Sequence, residues 1–329
     1  MKACLPRVLL AIAAILNAPG YAFGQDEPAS MVEDVIVTAR RSGAPVWLIE
    51  TPSGSVVLVG SMRSVPGETA WRPESLEQAA ASADRVVLSQ SATMSLGDYF
   101  RFRRARERLP EGATVAEYLD ADLQERLQRI AAHYRQDYRR KGLVAIAHDL
   151  LERRLRYDRG AGRSADAVVR STARQGGRPV RLVGDLDARH IDSSIAVPDD
   201  AQVACLAAAI AAVEAGPDGL RARGLAWTRQ NVIGVVASPL EQALDRCAWF
   251  ADETLRAQGR AQWAAALGDA LGESGTVMIV APITIMAEPG GLLDQAEARG
   301  FEVVGPEWGA ETSDASAPAV DEVDSEKGV

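Results

Sequence analysis

Few side chains in this sequence could do chemistry, and their positions relative to predicted strands decide what chemistry that would be. The chain has three histidines. His133 and His148 fall on predicted amphipathic helices and read as packed or solvated side chains. His190 is placed differently: it follows Asp185 and Asp187 just after a strand end, and Asp187 and His190 share a face if a helix begins there. Asp185, Asp187 and His190 could hold a divalent cation such as Mn, Co or Zn. Helix-start acids also have an ordinary explanation in the helix dipole. The other polar candidates end β-branched runs, at Gly60-Ser61-Met62-Arg63 and at Ser89. No G-x-S-x-G elbow surrounds Ser61 or Ser89. No glycine-rich phosphate or dinucleotide motif occurs, and no close cysteine pair could hold zinc or do thiol chemistry.

These residues depend on an alternation of strands and helices. Val46–Glu50 and Ser55–Gly60 flank a Pro52-Ser53-Gly54 turn, which predicts a hairpin. A helix opened by Pro73 and a strand over Asp84–Ser89 complete an α/β unit. Its strand ends, at Gly60–Arg63 and Ser89, are predicted to lie near each other, where α/β sheets bind ligands. The spacing then turns helical: Leu96–Leu109, a short helix capped by Thr114, Asp120–Arg139, Gly142–Tyr157, and Ala165–Gln175 behind Ser164. Arg178–Asp185 reads as a strand reached by a parallel crossover. Helices over Ala201–Glu214, Leu220–Val236 and Leu240–Gly272 follow, with a break at Gly216-Pro217. Gly275–Pro282 is the most apolar strand and belongs at the sheet centre. A helix over Leu292–Arg299 and a strand over Gly300–Val304 close the domain. The predicted fold class is α/β, with a central mixed sheet built from two similar strand-helix-strand halves. Those halves are Val46–Gln90 and Thr276–Val304, and a helical insertion lies between them.

The ends of the chain carry a different signal. Lys2 and Arg7 precede the apolar run Val8–Leu16, and Ala22-Phe23-Gly24 supplies small residues for cleavage, so residues 1–24 read as a secretory signal peptide. That run falls short of the ~20 residues a spanning helix needs, and no other segment is expected to span a membrane. Export to the periplasm or beyond would let the mature chain's two cysteines, Cys205 and Cys247, pair and staple two helices. Residues 25–45 read as a flexible linker. Within it, Val32–Arg40 has strand propensity and resembles the TonB box of outer-membrane receptors, a segment that docks on an envelope partner by strand addition. A plain linker or an extra edge strand are the other readings. Residues 309–329 are acidic and poor in large apolar side chains, which predicts disorder. A net charge of -9 and pI near 5.1 argue against a nucleic-acid partner, which needs a basic face. The basic run Arg101–Arg108 reads as the solvated side of a helix.

Two segments of the domain at 46–308 resemble a known family. PVWLIETPSGSVVLVGSMRSVP, a helix and ADRVVLSQ form the first; TVMIVAPITIMAEPGGLLDQAEARGFEVV forms the second. Both are similar to the TraB/GumN family, relatives of the Tiki metalloproteases. Gly291-Leu292-Leu293, Gly300-Phe301-Glu302-Val303, Leu225-Ala226-Trp227, Trp263 and the two mature cysteines share the likeness. The resemblance implies a divalent metal at the strand ends, held by a G-x-x-H histidine from each half and a glutamate after the first helix. Such a metal activates water for hydrolysis. This chain departs at all three positions: Arg63 and Thr284 replace the histidines and Ser89 replaces the glutamate. A guanidinium repels a cation and offers it no lone pair.

The expectation is a degenerate family member without metal or other cofactor. It would be an exported pseudoenzyme whose pocket, with Gly60, Arg63, Ser89 and Thr284, binds a peptide or other carboxylate-bearing ligand. The alternative is a metal-dependent hydrolase or peptidase whose site has moved to Asp185, Asp187 and His190.

Overall fold

β-branched runs on both sides of a tight turn make the hairpin of β1 (Val46–Thr51) and β2 (Gly54–Ser61), in register from Val46↔Val59 to Thr51↔Gly54. The computed structural model describes residues 28–89, 107–183, 200–247 and 253–309. The leader, most of the basic run, Asp185, Asp187, His190 and the acidic tail lie outside the described residues. β3 (Arg85–Ser89), β4 (Val180–Val183), β5 (Gly275–Pro282) and β6 (Val303–Val304) complete a six-stranded mixed sheet, ordered β4-β3-β5-β2-β1-β6. β4, β3, β5 and β2 run parallel, and β1 is antiparallel to both β2 and β6. β5 therefore separates β2 from β3, with Val277–Ala281 at most 1% exposed. A continuous apolar run fits a strand covered on both faces.

Glycine fixes the register at the far end of this central pair. Gly54 faces Gly275, and a Cβ on Gly54 would collide with the Gly275 carbonyl. Gly275 itself has φ +80°, where a side chain is strained. Beside it, Asp84 Oδ2 accepts from the Thr276 amide at 2.7 Å, tying the entry of β3 to β5.

The helices are α1 (Pro28–Arg40), α2 (Pro73–Ser82), α3 (Ala121–His133), α4 (Leu143–His148) and α5 (Ala165–Gln175). They continue with α6 (Asp200–Thr228), α7 (Val232–Val236), α8 (Pro239–Arg246), α9 (Glu253–Gly272), α10 (Ile283–Ala287) and α11 (Leu292–Ala298). Ser164 and Asp120 cap α5 and α3 through the Ala167 and Leu123 amides, and Thr114 caps a short 3-10 turn, Val115–Glu117.

One expectation is corrected. Val32–Arg40 is not an extended linker segment: it belongs to α1, with Val35, Ile36 and Ala39 at most 4% exposed. Those residues lie at i, i+1 and i+4, a helical face, and burying it against α2 and β1 outweighs their β-propensity. In this conformation that apolar face cannot add a strand to a partner. α6 is long and apolar enough to cross a membrane by length and composition, with mean hydropathy 1.5 over its 18-residue window, 33% of it buried. Gly216 breaks it with non-helical angles (φ 58°, ψ -154°), directly before Pro217.

Two apolar cores result. One surrounds the sheet; the other is helical and joins Leu127, Ile130, Leu143, Ile146 and Leu150 to the first half of α6 and to α8. In the second core α4 continues as a π-helix, Asp149–Leu155. There Asp149, 7% exposed, accepts from the Tyr138 hydroxyl at 2.5 Å and from Arg154 Nε at 3.0 Å. Burial alone would raise the Asp149 carboxyl, but the Tyr138 and Arg154 hydrogen bonds together hold it below its usual range. The folded state therefore binds that proton less tightly than the unfolded chain. Its stabilisation is full above about pH 4 and fades as pH falls through the depressed folded value. Asp149→Asn is expected to cost about 1.5–3 kcal/mol at neutral pH. The gap from wild type should begin to narrow below about pH 4 and close as pH falls below the depressed folded value, as read by urea midpoints across pH.

Candidate ligand site at the strand ends

The site is built on the carboxyl ends of β2, β5 and β3. Gly60 pairs with Ala281 and Ser61 with Pro282, while Leu88 pairs with Val280, which puts Ser89 level with Ala281. Gly60 sits in a tight space: a Cβ there would lie 3.2 Å from the Trp47 ring and 3.4 Å from Ile283. Its carbonyl accepts from the buried indole of Trp227 at 2.9 Å, and Trp71 meets that indole edge-on with ring centroids 5.3 Å apart.

The loop after β2 is held from α6 by its backbone. Arg223, fully buried, donates through Nη2 to the Arg63 carbonyl at 2.5 Å and through Nη1 to the Ser64 carbonyl at 3.4 Å. Its Nε donates to Glu241 Oε2 of α8 at 2.7 Å, a buried ion pair. Ser64 has φ 56°, a left-handed conformation that a non-glycine residue keeps only where its surroundings over-determine it. The Arg63 side chain is exposed and makes no ion pair among the described residues.

On the other side, the first turn of α5 closes the gap that β5 leaves between β2 and β3. The Asp166 amide donates to Ser61 Oγ at 3.4 Å, and Ser89 Oγ donates to Asp166 Oδ1 at 3.2 Å. Arg170 donates to the Ser89 carbonyl at 2.6 Å and pairs with Asp166 at 3.2 Å. Asp166 thus bridges Ser61 and Ser89. Thr284 lies three residues beyond Ala281 in α10 and is 9% exposed. No described contact joins Arg63, Ser89 and Thr284 directly. At the end of α10, burial raises the Glu288 carboxyl above its usual range, Arg260 opposing and Asp245 reinforcing the shift.

Cys205 of α6 and Cys247 after α8 form the predicted disulfide, with Cα atoms 4.8 Å apart. The bridge ties α8, which supplies Glu241, to the first half of α6; Arg223 lies on the second half, beyond Gly216. Residues 45–304 match the profile of the TraB/PrgY/gumN family. The chain belongs to that family. No curated protein and no solved structure matches it.

The metal that the family resemblance implies does not fit the donors at this site. Arg63 offers a guanidinium and Ser89 and Thr284 offer hydroxyls, with no imidazole among them, and the carboxylate between the strand ends, Asp166, is already paired with Arg170. No cluster of three or more His, Cys, Asp or Glu side chains placed to hold a metal occurs among the described residues. The alternative triplet, Asp185, Asp187 and His190, lies outside them.

Sequence reasoning missed Asp166, Arg170, Arg223 and Glu241. An Asp166–Arg170 pair four apart near the start of a helix looks like any solvated pair. Arg223, two residues before the family-like Leu225-Ala226-Trp227, carried the better signal, a charge beside residues destined for the core.

Proposed function

We propose that this TraB/PrgY/gumN protein is an exported, non-hydrolytic binding module that takes a carboxylate-bearing ligand, such as a peptide C-terminus, at the ends of β2, β3 and β5. The observation that carries the reading is Arg63: an exposed guanidinium without a described ion pair, on a loop whose backbone is fixed by Arg223. An exposed cation just beyond the end of β2 suits a carboxylate. Ligands of α/β sheets bind at these strand ends. Export is supported by the composition of the leader and by the disulfide, since such bonds persist in oxidising compartments.

The test compares short peptides with free and amidated C-termini by calorimetry on the mature protein. The free acid should bind about 10- to 100-fold more tightly, the worth of one charge-assisted contact, and Arg63→Ala should erase the difference. Equal binding of both peptides would reject the reading. So would stoichiometric Mn, Co or Zn that disappears in His190→Ala, which would instead favour a hydrolase built on Asp185, Asp187 and His190.

A further inference from the structure

The disulfide and the loop after β2 are joined by a short mechanical path. Cys247 caps the end of α8, and the first turn of α8 carries Glu241. Glu241 is the buried acidic partner of Arg223, whose other nitrogens hold the Arg63 and Ser64 carbonyls. Cys205 and Arg223 lie on opposite sides of the Gly216 break in α6, so the bridge fastens α8 to the first half of α6 while its ion pair reaches the second. Beyond Ser64 the loop is anchored again. The Gly162 amide donates to the Val65 carbonyl at 2.8 Å, and the Thr69 amide to the Pro66 carbonyl at 2.9 Å.

We propose that the Cys205–Cys247 bridge is a redox latch on residues 61–66. A dithiol reductant opens it. One reductant thiolate attacks Cys247 Sγ, the less buried sulfur at 9% residue exposure against 0% for Cys205, and releases the Cys205 thiolate. The second reductant thiol then displaces Cys247. Two electrons and two protons pass to the protein, leaving two cysteine thiols and an oxidised reductant. With the crosslink gone, α8 keeps its place by packing and by its ion pairs, Glu241 with Arg223 and Asp245 with Arg256, and opens locally at lower cost. Neither member of a buried ion pair tolerates losing the other. When α8 opens, Arg223 therefore leaves its site as well, and the Arg63 and Ser64 carbonyls lose their donors. That the loop's release also changes ligand affinity rests on the function proposed above; the latch itself is read without any ligand.

Hydrogen exchange on the mature protein, oxidised and after treatment with dithiothreitol, tests this. The Thr69 and Gly162 amides report on the loop, and the Val277–Val280 amides of β5 report on the sheet. Reduction should lower protection of Thr69 and Gly162 at least tenfold more than that of β5, and re-oxidation should restore it. Glu241→Gln should produce the same loop pattern in oxidised protein, with less than a twofold further change on reduction. Loop amides that do not respond, or that change by the same factor as β5, would overturn the latch, whether or not any peptide binds.

Discussion

Arg223→Ala is expected to destabilise the protein by about 3–5 kcal/mol, because it leaves Glu241 as a buried carboxylate without its cation. Arg223 is fully buried and the Glu241 side chain is 6% exposed, so water cannot replace the lost partner cheaply. A second variant separates the ion pair from its positioning role. Replacing both members with apolar residues of similar volume, Arg223→Met with Glu241→Leu, removes both charges and is expected to recover most of the stability. It does not recover the donors to the Arg63 and Ser64 carbonyls. Denaturant midpoints should therefore rank the single variant far below wild type and the double variant near it. Exchange at Thr69 and Gly162 should remain fast in both. A double variant whose loop amides are protected as in wild type would show that Arg223 does not position that loop.

The legible parts of this fold were those set by local chemistry. β-branched runs bounded by glycine and proline gave β1, β2, β3 and β5 close to their observed limits, and Ser164, Thr114 and Gly216-Pro217 marked caps and a break where they occur. α1 was misread because Val35, Ile36 and Val37 favour strands locally, while its spacing is helical and is stabilised by packing on α2. Sheet order was hidden for a different reason. A β2–α2–β3 crossover leaves room for a strand between its ends, and the strand that fills it comes from residue 275 onward. The same distance in sequence hid the support of the site. Asp166 reaches Ser89 across 77 residues and Arg223 reaches Arg63 across 160, and nothing local distinguishes such pairs from solvated ones. The positions at the strand ends were legible; the groups that hold them were not.

That division points to Trp227 as the remaining strong test, since it joins both kinds of information. The family-like Leu225-Ala226-Trp227 marks it in the sequence, and in the fold its indole is buried and donates to the Gly60 carbonyl at 2.9 Å. Trp227→Ala should cost about 3–5 kcal/mol, through a core cavity and loss of the edge contact with Trp71. Trp227→Phe keeps most of the apolar body and deletes the donor. An unsatisfied buried carbonyl costs about 1–3 kcal/mol, and Gly60 has little room to turn toward water, pressed between Trp47 and Ile283. The phenylalanine variant should thus fall between wild type and alanine in urea midpoint, with an unchanged slope. If it unfolds at the wild-type midpoint, the indole fills space without holding β2. The end of that strand must then be fixed by its pairing with β1 and β5, by Asp166 and by Arg223.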